Sequence, residues 1–253
     1  MSAVGTRTFI KRELVRSLRV PWQTFATPVI TTFLFFVVFG FSIGKNGVTI
    51  GGLSYAEFIM PGLIMMNTLM SSFMSVSSGL VLAKITRTLS DILVTPLSHL
   101  EIVLGFSIAA LIRGLMIAGL IYLLALLFVP FRAEHPLYLL TLLAMVTFAF
   151  SLFGLVVGIW AENFEQVTIV PAFFITPLSF LGGIFYSIHT LPVFLQWLSR
   201  FNPLLYMING LRYGFYGVSD VSPLTAYLVS LGLLLALILA TWQMIRTGYK
   251  IKN

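Results

Sequence analysis

Arg113 falls near the middle of an apolar run, where no other charged residue of this 253-residue chain lies. A cation at mid-depth in a bilayer costs about 2.5 to 3.5 kcal/mol on insertion scales, so it must face protein or water. It can serve a hydrogen-bonded structural role or touch a substrate or gate. Another apolar run carries Asn67, Ser71, Ser75 and Ser78 at i, i+4, i+8 and i+11, which places all four on one helix face. Small polar residues in that register either pack helices closely or line a path. Enzyme chemistry has little to work with. His99, His135 and His189 fall in three different loops, no Ser/His/Asp set or carboxylate pair converges, and there is no cysteine. Gly44-Lys45 is followed by Asn46 and lacks the glycine pattern of a phosphate-binding loop. The chain is expected to be no enzyme and to hold no metal or cofactor itself.

Such residues need apolar elements to position them. Hydrophobic residues make up 58% of the chain and charged ones only 9%, against about 25% in soluble domains. The expected class is all-α, a single polytopic membrane domain over residues 1–253. The net charge of +7 sits at membrane edges, where it sets topology and meets anionic headgroups; no nucleic-acid partner is expected. The first apolar run starts too late for a cleavable signal and has no small-residue cleavage site.

Six spans are expected, at about 24–44, 58–83, 102–129, 137–160, 167–186 and 223–244. Residues 5–20 set Arg7, Lys11, Arg12, Arg16 and Arg19 against Phe9, Ile10, Leu14, Val15 and Leu18, an amphipathic helix suited to lie on the membrane surface. Pro61 is expected in the first turn of span two. In span five Pro171 and Pro177 each remove a helix hydrogen bond, and Gly182-Gly183 adds a joint, which predicts a broken helix. Residues 191–217 stay aromatic and apolar but include Arg200, Asn202, Pro203, Asn209 and Arg212, too interrupted for the roughly 20 apolar residues of a span. A re-entrant helical pair on the outer side is expected there, with Arg200 and Arg212 reaching water near the headgroups. With six crossings the inner side receives Arg7, Lys11, Arg12, Arg16, Arg19, Lys84, Arg87, Arg246, Lys250 and Lys252, and the outer side Lys45, Arg132, Arg200 and Arg212. Both termini are then cytoplasmic. GFSIG (Gly40 to Gly44), GLVVG (Gly154 to Gly158) and GLRYG (Gly210 to Gly214) match the small-xxx-small packing pattern, each a weak signal alone.

FIMPGLIMM, ILVTPLSHLEIVLG and above all VPAFFITPLSFLGGIFYSIHTLPVFLQWLSRFNPLLYMINGLRYGF resemble ABC-2 type transporter permeases, the YadH-type bacterial inner-membrane subunits in particular. The likeness covers nearly the whole chain. It implies a six-helix subunit that dimerises around an export path and a separate ATPase, two copies per homodimer, that binds ATP and Mg. It also implies docking of that ATPase on the cytoplasmic loop between spans two and three, through Lys84, Arg87, Asp91, Leu93, Pro96, Leu97 and Glu101. The path or gate candidates are Asn67, Ser71, Ser75, Arg113, Phe185, Tyr186, Tyr206 and Arg212. The function implied is outward transport of an amphipathic, drug-like, lipid or lipid-linked glycan substrate across the bacterial inner membrane, with membrane lipids as further partners. An ion-coupled secondary transporter would need intramembrane carboxylates or an inverted repeat, and a non-transporting structural membrane protein is the remaining alternative.

Overall fold

A computed structural model describes residues 3–41, 49–88, 98–129 and 133–247. Helix α1 (Ala3–Leu18) is followed by α2, a continuous run made of Trp22–Ala26, Thr27–Phe35 and Phe36–Phe41. A two-stranded hairpin, β1 (Thr49–Ile50) and β2 (Leu53–Ser54), turns through Gly51 and Gly52. Both glycines have positive φ, +59° and +83°, as a tight two-residue hairpin turn requires. Then come α3 (Tyr55–Ile85), α4 (His99–Ala125), α5 (Pro136–Trp160) and α6, the run Phe164–Val170, Pro171–Ile175 and Thr176–Leu181. Two short helices, α7 (Val193–Arg200) and α8 (Pro203–Tyr216), precede α9 (Pro223–Thr247).

Among the described residues five helices, α3, α4, α5, α6 and α9, are long and apolar enough to cross a bilayer; the apolar part of α2, Thr24–Gly40, is shorter. Helices α3 and α5 form the core, with 78% and 72% of their most apolar windows buried, whereas only 17% of that of α9 is. The polar face of α3 therefore sits at the centre of the bundle.

Ser54 and Glu57 start α3 with a capping box: the Ser54 hydroxyl accepts from the Glu57 N–H and the Glu57 carboxylate accepts from the Ser54 N–H at 2.7 Å. Ser98 and Glu101 repeat it at the start of α4. The Ser54 cap starts span two earlier than its hydropathy implies. Pro61 consequently lies inside the helix rather than in its first turn.

The expected break in span five is absent. Across Pro171–Ile175 the helix widens to a π turn, the Thr176 N–H donating to the Pro171 carbonyl, and continues through Pro177 to Leu181. Widening accommodates the missing N–H of a proline and its clash with the preceding turn without ending the helix. Helix α2 uses the same device over Trp22–Ala26, where the Thr27 N–H donates to the Trp22 carbonyl just before Pro28. Both cases read Phe-x-Thr-Pro in the sequence, Phe25 to Pro28 and Phe174 to Pro177.

Two of the three glycine pairs are contact sites. A Cβ on Gly154 would meet the Phe73 carbonyl oxygen of α3 at 2.4 Å, and one on Gly158 would touch Ser77 and Leu80. Gly210 and Gly214 bring α8 onto Leu142 and Leu139 of α5. Gly44 of the GFSIG pair lies outside the described residues. Because a carbonyl in a helix cannot move aside cheaply, Gly154→Val is expected to cost about 1 to 3 kcal/mol and to lower the melting temperature in detergent. Gly119→Ala, which would meet nothing within 4 Å, should leave it unchanged; equal melting of the two variants would contradict the contact.

Candidate functional site

One end of the bundle is organised by α1. Phe9, Glu13 and Ser17, spaced four apart, form its buried stripe. The helix is seated on α3 and α4 and does not simply float on a surface. Phe9 meets Phe106 edge-on at 5.0 Å and lies where a Cβ on Gly105 would clash, and the Arg16 guanidinium occupies the space a Cβ on Gly79 would need. Arg16 pairs with Glu13 at 2.8 Å and donates to the Ser75 carbonyl at 3.3 Å. Burial pushes the Glu13 carboxyl up, against the lowering by Arg16 and Arg12. Neither Glu13 nor Arg16 stood out in the sequence as a site residue; their i, i+3 spacing in an otherwise basic helix was the only signal.

Beside this pair a crevice of about 310 Å³ opens between α1, α2, α3, α4 and the start of α6, lined in part by Arg16, Thr24, Ser75, Ser78 and Arg113. Ser75, Ser78 and Arg113 thus meet in one site. Asn67 does not join them: its amide donates to the Thr32 hydroxyl at 2.9 Å and the Leu63 carbonyl at 3.0 Å, tying α3 to α2. Ser71 is buried with its hydroxyl unpartnered, away from the crevice lining.

At the other end, Arg212 is completely buried. The expectation that it reaches water is incorrect. Its guanidinium donates to the Phe58 carbonyl at 3.3 Å, the Asn209 side-chain oxygen at 2.8 Å and the Gly183 carbonyl at 2.8 Å, and lies 3.7 Å from the centre of the Phe58 ring. The Asn209 oxygen also accepts from the Asp220 N–H at 3.1 Å, and the Asp220 carboxylate accepts from the Ser187 hydroxyl at 2.8 Å and the Ile188 N–H at 2.9 Å. Gly183, with φ +79°, supplies one acceptor from a backbone shape that side chains rarely adopt. Arg200 is exposed at the end of α7, as expected.

The aromatic candidates divide. Phe185 packs on Phe39 at 4.8 Å and on Phe35 and Phe180, and its carbonyl accepts from the Tyr55 hydroxyl. Tyr186 is half-buried. Tyr206 donates to the Arg200 carbonyl at 2.9 Å, closing α7 onto α8. Of the docking candidates, Lys84 donates to the carbonyls of Ile159 and Ala161 at the end of α5, and Glu101 is consumed by its capping box. Arg87 is exposed with φ 58° just past α3. Asp91, Leu93, Pro96 and Leu97 lie outside the described residues.

The ABC-2 type transporter family matches residues 5–216, which takes in most of α1, the crevice, and Arg212 with its three acceptors. The chain belongs to the ABC-2 type transporter family. This permease is 37% identical over 250 residues to the inner membrane transport permease YadH of Escherichia coli K12, covering 99% of the chain and 98% of YadH. It is also similar to nodulation protein J of Sinorhizobium fredii, 27% identical over 68% of this chain and 66% of that one. The probable multidrug ABC transporter permease YbhR of Escherichia coli is 29% identical over 60% of this chain and 42% of its own length. The protein is accordingly a multi-pass inner-membrane subunit of an ABC transporter, non-catalytic itself, that pairs with an ATP-binding subunit.

Breaking a buried, hydrogen-bonded charge cluster costs about 3 to 5 kcal/mol. Arg212→Met in the ABC-2 permease should therefore lower the melting temperature sharply, and Arg212→Lys should recover only part of the loss. Arg200→Ala at the exposed end of α7 should stay within about 0.5 kcal/mol of the parent. If Arg212→Met and Arg200→Ala unfold alike, the bonds that latch Arg212 to Phe58, Gly183 and Asn209 are not structural.

Proposed function

We propose that the chain is the transmembrane subunit of an exporter that moves an amphipathic substrate outward across the inner membrane. It would work as a homodimer with two ATP-binding subunits, which bind ATP and Mg and supply the energy. The observation that carries this reading is the pairing of a polar crevice at the α1 end with a closed, aromatic cap at the other, since a path that opens alternately needs access at one end and a seal at the opposite one.

The cap supports six crossings. Helices α7 and α8, of 8 and 14 residues, extend about 12 and 21 Å at 1.5 Å per residue, short of a hydrocarbon core about 30 Å thick. The Asn202 amide donates to the Leu178 carbonyl at 2.6 Å, near the end of α6, while the Glu134 and His135 N–H groups before α5 donate to the carbonyls of Phe215 and Gly214. Both ends of α8 are thereby tied, one to the end of α6 and the other to the start of α5, which supports a helix that does not cross. Val193, Phe194, Trp197 and Phe201 are exposed along α7, a surface suited to the outer interface. The basic groups of α1 and of the α9 end favour both termini in the cytoplasm.

The segment between α3 and α4 is the proposed dock for the ATP-binding subunit. Its two ends are well anchored, by Lys84 on the carbonyl end of α5 and by Glu101 in the α4 capping box. A push delivered there would reach α3, α4 and α5 together. Ion coupling is disfavoured, because Glu57 and Glu101, at the starts of α3 and α4, are both consumed as caps. In the permease purified with its ATP-binding subunit, Leu93→Asp together with Leu97→Asp is expected to abolish stimulated ATP hydrolysis and weaken assembly. Wild-type hydrolysis and assembly in the double variant would refute the docking assignment.

A further inference from the structure

Among the described residues, no side chain or carbonyl forms an ion pair or hydrogen bond with Arg113. It is half-buried along α4, about 21 Å from the start of that helix at 1.5 Å per residue, and its Nε atom is inaccessible and unpartnered. Arg16 lines the same crevice, close enough for the two positive charges to repel. The carboxylate nearest this pair in the chain's own design, Glu13, is spent on Arg16, and no acidic residue lines the crevice. Val20 and Leu82 form apolar walls beside the two guanidiniums. On its outer side Arg16 also lines a second groove, of about 500 Å³, with Lys11, Arg12 and Arg19. A basic surface track and a basic crevice therefore join at Arg16.

Arg113 adds a charge without an ion-pair partner beside an Arg16 already paired with Glu13, so the crevice keeps a net positive charge, and guanidinium groups grip oxyanions through paired N–H donors. The apolar walls call for an apolar chain on that anion. We propose that this crevice is a binding site for the oxyanion head, phosphate or carboxylate, of an amphipathic molecule, recruited along the outer face of α1 and seated between Arg16 and Arg113 before export. The assignment of that molecule as cargo rests on the exporter reading above; the anion site itself does not.

The test uses the permease with its ATP-binding subunit in phosphatidylcholine nanodiscs, titrated calorimetrically with dihexanoyl phosphatidylglycerol, dihexanoyl phosphatidylcholine and inorganic phosphate. The phosphatidylglycerol is expected to bind, and Arg113→Gln or Arg16→Gln to weaken it by about tenfold or more, as loss of a charge-assisted contact implies. Arg113→Lys should keep most of the binding, which guards against a variant that merely misfolds, and Arg246→Gln, outside the crevice lining, should bind normally. Equal binding of phosphatidylcholine, inorganic phosphate as tight as the amphiphile, or unchanged affinity in both glutamine variants would each overturn the site. Cargo is expected to raise ATP hydrolysis in the parent and not in Arg113→Gln. Binding without any change in hydrolysis marks a resident lipid and overturns the cargo assignment, while coupling through the α3–α4 segment remains separately measurable with the Leu93 and Leu97 variants.

Discussion

Burying the Arg212 guanidinium completely demands an oxygen or an aromatic face in the directions its donors point, because an unpaired charge out of water would cost several kcal/mol. Three segments distant in sequence meet that demand. Phe58 at the start of α3 gives a carbonyl and its ring, Gly183 beyond α6 a second carbonyl, and Asn209 one turn back on α8 an amide oxygen. Asp220 extends the cluster to the loop at Ser187 and Ile188 and so to the start of α9. In the proposed six-crossing arrangement these bonds hold α8 against α3, so that the chain returns to the end it came from before α9 begins.

The contrast with Arg113 separates structure from function for one residue type. Both side chains belong to helices rich in apolar residues. Arg212 has partners through Nε and both terminal nitrogens, whereas Arg113 has an inaccessible Nε with no acceptor and a second arginine across the crevice. Satisfied charge ties α8 to α3 at one end of the bundle, and toward the other end Arg113 lines the crevice with its Nε unpartnered. Between them Thr68, Ser77 and Ser78 of α3 bond back to their own helix, while the buried hydroxyls of Ser71 and Ser72 have no partner.

Much of this was legible in the sequence, and the failures have physical causes. The apolar runs, the basic first helix and the Gly51-Gly52 turn were readable because hydropathy and glycine conformation act locally. The Ser54-Glu57 and Ser98-Glu101 capping boxes were equally readable, and using them would have placed the start of span two correctly. The prolines of α6 misled because a missing N–H can be absorbed by one wide turn, an outcome hinted at only by the Phe-x-Thr-Pro pattern shared with α2. Arg212 misled because polarity in a short aromatic segment suggests a surface, while its partner Phe58 lies 154 residues earlier. The joining of Arg16 to Arg113 depends on Gly79 and Gly105 letting α1 approach α3 and α4, a tertiary event that no local pattern encodes.

The topology that follows from the Arg212 latch can be tested directly in a chain without natural cysteines. Single cysteines at the exposed positions Arg200, Ser222 and Thr247 would be probed with a membrane-impermeant thiol reagent in intact cells. Labelling of Arg200→Cys and Ser222→Cys from outside, with Thr247→Cys labelled only after the membrane is opened, is the result predicted for a pair that folds back. Labelling of Arg200→Cys from outside with Ser222→Cys reached only from inside would mean that α8 crosses the membrane, and would contradict the latched, six-crossing arrangement.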